Sequence, residues 1–148
     1  MGINKEKVID LIRRLIDDHN TIEKNIIRLL ERALKYYRER PDKIYPDIKR
    51  NMQGLKLLLE LHYDMEEIEI FPLVRDELIE QLIEEHHQVM GIIDDIITPP
   101  PRNGDEAPLD PGEVIRVIER LINLIKDHVW KEETLLIQLL KKLYTGGQ

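Results

Sequence analysis

Two of the five histidines in this 148-residue chain open the same phrase, His62-x-x-x-Glu66 and His128-x-x-x-Glu132. On a helix, a spacing of four stacks imidazole and carboxylate on one face. Two more histidines, His19 and His86, lie in other stretches rich in Ile and Leu. Together these residues offer four ring nitrogens and two carboxylates, a donor set that suits two metal ions bridged by the carboxylates. The chain has no cysteine, which excludes thiolate zinc sites, iron-sulfur clusters, disulfides and thiol catalysis, so any ion must be held by His and carboxylate. Imidazole suits iron, copper, zinc or nickel, and spacing alone does not choose among them.

The elements that must position these residues are four helices, read from periodicity and punctuation. The first runs from Asn4, which can cap it, to Arg40, where Pro41 and Pro46 stop the pattern. The second spans Asp47 to Phe71 and is ended or kinked by Pro72. The third covers Arg75 to Ile97, and the Pro- and Gly-rich segment Thr98 to Gly112 is a loop. The fourth runs from Glu113 to Tyr144. With no strand-like alternation, the economical architecture is an all-α, up-down-up-down four-helix bundle in a single domain, residues 1–148.

Each helix carries one histidine on its apolar seam. The first seam reads Ile12, Ile16, His19, Glu23, Ile26, Leu30, Ala33, Tyr37, and the second Ile48, Met52, Leu55, Leu59, His62, Glu66, Glu69. The third reads Ile79, Leu82, His86, Val89, Ile93, Ile96, and the fourth Val114, Ile118, Leu121, Ile125, His128, Glu132, Leu135, Leu139. His87 falls on a different line, Glu80, Ile83, His87, Met90, Asp94, acidic at both ends and so expected at the rim. A single core histidine is more often a packed side chain with a satisfied hydrogen bond than a ligand. Four on facing seams, two followed by a seam Glu, reverse that balance. A buried carboxylate is costly without a positive partner, and the seams place no Lys or Arg beside Glu66 or Glu132. The nearly equal intervals from His19 to His62 and from His86 to His128 suggest two similar hairpins related by a pseudo-two-fold axis.

Composition narrows the function classes. The net charge of -7 argues against nucleic acid as a partner. No stretch approaches the ~18 uninterrupted apolar residues of a membrane span, and the N-terminus lacks the apolar run of a signal peptide. Met-Gly at the start does not make a myristoylation signal, because Glu6 stands where that motif takes Ser or Thr. The expectation is a cytoplasmic protein without membrane or nucleic-acid partners, and no protein partner is indicated.

Four segments in order, DDH at Asp17 to His19, HYDMEEIEIFP from His62, EEHHQVM from Glu84 and DHVWKEE from Asp127, resemble the hemerythrin-like, or HHE cation-binding, family. The resemblance covers His19 to Glu133. It implies a non-haem di-iron centre, with His19, His62, His86 and His128 as terminal ligands and Glu66 and Glu132 as bridges. It also implies two iron ions as cofactor, with zinc or manganese as alternatives, and dioxygen or a small anion as ligand. The implied role is carrier, store or sensor, the alternative being an oxidoreductase acting on peroxide or nitric oxide, or iron-centre repair. Against oxygen-carrying hemerythrins the chain has Met90 in place of a second histidine four residues after the third-helix ligand. It also has Glu133, preceded by Glu132, in place of an Asp five residues after the fourth-helix His.

Neighbouring residues carry weaker expectations. Glu23 is read as an edge-of-seam carboxylate meeting solvent or a Lys, with a ligand role as the alternative. Glu67 and Glu133 are read as solvated, with a hydrogen bond to a ligand imidazole as the alternative. Tyr63 and Trp130 are read as packing residues pointing away from the seam. Asp18, Glu85 and Asp127 are read as exposed helix surface.

Overall fold

Four helical rods, each amphipathic along its length, bury their apolar seams against one another. The computed structural model describes residues 5–74, 76–98 and 110–145, without the side chains of residues 45 and 46. The first rod is α1 (Lys5–Asp18), a π turn (His19–Glu23) and α2 (Lys24–Glu39). The second is α3 (Ile44–Met65) followed by a second π turn (Glu66–Ile70). The third is α4 (Leu78–Ile97) and the fourth α5 (Pro111–Thr145). The first rod packs on the fourth, the second on the third and the third on the fourth, giving the all-α bundle expected.

Boundaries differ from the sequence reading where proline chemistry was misjudged. Pro46 does not hold the second rod off until Asp47, because α3 begins at Ile44 and a proline in the first turn forfeits no helical hydrogen bond. α4 begins at Leu78 rather than Arg75. There the carboxylate of Asp76 accepts a hydrogen bond from the Leu78 amide at 2.9 Å. α5 starts at Pro111, two residues early, with proline at its first position. Asn4, Arg75 and most of the loop reading, residues 99–109, lie outside the described residues.

The two π turns correct the seams. Four-residue steps on an α-helix overshoot a full turn by ~40°, so Leu15, His19 and Glu23 would drift off one face in a regular helix. The wider π turn absorbs the drift, and all three are fully buried. Leu15 and Leu34 take the deepest positions that the sequence reading gave to Ile16 and Ala33. In the second rod the seam steps from Glu66 to Ile70, leaving Glu69 exposed, contrary to its placement on the seam.

The apolar core is divided in two. One cluster includes Leu30, Ile48, Leu59, Ile93, Ile118 and Ile125, the other Ile12, Leu15, Phe71, Leu82, Leu135 and Leu136. Between them lies a layer of buried polar side chains. Among the described residues no helix is long and apolar enough to cross a membrane.

Candidate metal centre

The polar layer draws at least one side chain from every rod. The first π turn supplies His19 and Glu23, and α3 with the second π turn supplies His62 and Glu66. α4 supplies His86, and α5 supplies His128 and Glu132. All seven are at most 3 % exposed, whereas His87 next door is exposed on the rim, as its acidic line implied.

Their polar atoms converge. His19, Glu23, His62 and Glu66 form one group able to hold an ion, with donor atoms all within 4.8 Å of one another. Glu66, His86, His128 and Glu132 form a second to the same limit. Glu66 is common to both.

The contacts within these groups are close but not aligned as hydrogen bonds. His62 Nε2 lies 2.8 Å from Glu66 and 3.3 Å from Glu23, and His128 Nε2 lies 2.8 Å from Glu132. Yet these ring nitrogens and carboxylate oxygens, with His86 Nε2 and both nitrogens of His19, are buried without a hydrogen-bond partner among the described residues. Unaligned donor atoms ~3 Å apart are what neighbouring ligands show when each sits ~2.1 Å from a shared ion. A buried layer this poor in hydrogen bonds is otherwise hard to account for. The residues present fit a cation.

Behind the inward nitrogens lies a set of orienting carboxylates. His86 Nδ1 donates to Glu67 at 2.9 Å, and His128 Nδ1 donates to Glu85 at 2.9 Å, which leaves each Nε2 lone pair facing the centre. Lys131 donates to Glu85 at 2.6 Å. Glu133 stands 3.7 Å from His19 Nδ1 and 3.4 Å from Lys24. Glu67 and Glu133 each follow a seam Glu by one residue and reach a histidine of the neighbouring rod.

Several expectations need correction here. Glu23 meets neither solvent nor a Lys, being wholly buried against His19 and His62. Glu85 is not exposed surface, being 6 % exposed and bonded to His128. Tyr63 is buried as a packing residue would be, but it does not point away from the site, since its ring stacks on His86 at 3.7 Å between centroids. Trp130 is no packing residue at all, with 68 % of its surface exposed. The His-x-x-x-Glu spacing of His19 and Glu23, repeated from the two obvious phrases, was the available signal for Glu23. Nothing in the local sequence marked Glu85 or Tyr63.

A sequence profile of the hemerythrin HHE cation binding domain matches residues 10–140, nearly the whole chain and every residue of the buried layer. The chain belongs to the hemerythrin HHE cation-binding family. No curated protein and no solved structure shows a significant match to it.

Within this hemerythrin-family centre the buried histidines and carboxylates shift one another's protonation. Burial alone would lower the pKa of His62, but Glu23 and Glu66 outweigh it and raise it from 6.5 to about 9. Burial would raise Glu66, but His19 and His62 overcome this and lower it from 4.5 to about 2. Burial, with His128 and His62 adding to it against Glu66, pushes His86 down to about 3, so this ring is neutral and ready to bind a cation. In the metal-free protein the raised His62 contributes stability that is complete below pH 6.5 and lost as pH rises through about 9. The lowered Glu66 contributes stability present above pH 4.5 and lost as pH falls through about 2. Calorimetry in the presence of chelator should therefore give a higher Tm at about pH 6 than at about pH 9. An unchanged Tm across that window would contradict the pairing.

Proposed function

We propose that the chain holds two iron ions in the buried layer and uses them to bind and react with dioxygen or a related small ligand. His19, Glu23 and His62 hold one ion and His86 and His128 the other; Glu66 is shared between the two donor groups, and Glu132, 2.8 Å from His128 and 3.5 Å from His19, also faces both, as the resemblance implies for two bridging glutamates. The observation that carries this reading is the double membership of Glu66, which makes one two-ion centre of two donor groups. Zinc or manganese would satisfy the same donors less distinctively.

Bound iron supplies exchangeable positions and electrons for a small oxidant. The protein's own residues set what happens there. The two apolar clusters exclude water from above and below, and Glu67 and Glu85 fix the ring planes of His86 and His128. On the α3–α4 side of the layer a surface cavity of about 400 Å³ is lined by residues that include Tyr63, Asp64, Glu67, His86, Met90 and Asp94. Met90, one turn beyond His86 beside this cavity, provides no hard donor, which leaves a position on that side open to an exchangeable ligand. This favours a reactive oxygen- or peroxide-handling centre over a reversible carrier.

Two measurements test the reading. Elemental analysis of protein produced in iron-replete medium should give about two irons per chain. One zinc per chain, or no metal, would remove the di-iron assignment. The anaerobic reduced protein, mixed with oxygen and then degassed, should remain oxidised. Full optical return over several cycles would restore the carrier role, and sustained consumption of peroxide with a reductant would make the protein an oxidoreductase.

A further inference from the structure

One buried polar group in this layer is not among the side chains that hold the ions. Tyr63 follows His62 by one residue and is 3 % exposed. Its ring lies parallel to that of His86, with 8° between planes, and edge-on to His128. Its hydroxyl is closed to solvent and has no hydrogen-bond partner among the described residues. A buried phenol O–H is costly unless an acceptor completes it, and what it offers its surroundings is a donor.

The surroundings indicate which acceptor. Tyr63 is in ring contact with both His86 and His128, two of the four side chains of one donor group. It lines the same cavity as His86 and Met90, the α4 residue one turn beyond His86, which has no hard donor to offer a cation. The group formed by Glu66, His86, His128 and Glu132 is therefore left without an α4 donor from the Met90 position, and the phenol occupies that side. A neutral O–H there stabilises an anion without adding charge to a layer already rich in carboxylates.

We infer that Tyr63 is a ligand-contacting residue, its hydroxyl donating a hydrogen bond to a small anion held on the Met90 side of the His86–His128 group. The inference rests on the two-ion reading above and adds the residue that selects the ligand. Small monovalent anions with an exposed lone pair are the class it would take, and azide is a suitable probe.

The experiment is an optical azide titration of iron-loaded wild type and Tyr63→Phe, with iron content measured on both. The Phe ring keeps the stacking on His86 and removes only the donor. Tyr63→Phe is expected to retain its iron and to bind azide about tenfold more weakly or worse, the usual loss for a hydrogen bond to a charged acceptor. A second measurement needs no variant. The azide stretching band of the wild type should shift between H2O and D2O if the phenol donates to it. Equal azide affinity at full iron content, or no isotope shift, overturns the inference and leaves the di-iron reading standing. Loss of iron from Tyr63→Phe also overturns it, because the phenol would then be holding the ions. A wild type that retains no iron removes the di-iron reading itself, and this inference with it.

Discussion

Glu66→Ala should leave the protein essentially free of metal. Its carboxylate is the one side chain shared by both donor groups, so its removal deprives two sites at once. Losing a residue that merely orients a ligand already lowers metal affinity by ~10–100-fold, and a shared ligand should count at least as much at each site. The fold should survive, because alanine is the best helix former and His19 and His62 can stay buried as neutral rings once the carboxylate has gone. Metal analysis beside circular dichroism separates the two effects. Glu69→Ala, three residues on and exposed, is the control that should keep its metal. One ion per chain retained in Glu66→Ala would show that the carboxylate belongs to a single site.

Removing the metal from the native chain should lower its Tm by more than 10 °C. An ion present at a thousand times its Kd stabilises the folded state by ~4 kcal/mol per site. For a chain of this length each kcal/mol moves Tm by ~2–4 °C. Without ions, Glu23, Glu66 and Glu132 remain buried among histidines whose hydrogen bonds are incomplete, which adds to the loss. Scanning calorimetry before and after chelation, near pH 7, measures the difference. A shift below ~2 °C would mean that the buried layer is stable without a cation.

The bundle and the histidine positions were legible because apolar periodicity carries helix phase over long stretches. His86 and His87 show how fine that reading is, since adjacent histidines were assigned to opposite surroundings and one is buried while the other is exposed. The misreadings arise where phase changes or where two rods meet. Glu69 was placed on the seam because a three-residue step normally follows a four-residue one, and the π turn at Glu66–Ile70 substitutes a second step of four. Glu23 was discounted for the mirror-image reason, since a regular helix would have carried it toward the seam edge. Glu85 and Tyr63 are buried by a neighbouring rod rather than by their own face. Glu85 is held by His128 and Lys131 of α5, and Tyr63 by His86 of α4, contacts that no local pattern encodes.

The two π turns both fall in the first pair of rods, one beginning at His19 and the other at Glu66, while α4 and α5 run unbroken past His86 and His128. A π turn can return to a regular helix by passing its extra residue along the chain, a movement that uninterrupted helices do not offer. Mechanically, a centre so built would have one stiff pair of rods and one pair able to adjust. Changes in ionic radius as the metal gains or loses electrons would be taken up by the rods bearing His19, Glu23, His62 and Glu66. The surface over α1–α3 is then where any such adjustment would reach the outside of the bundle.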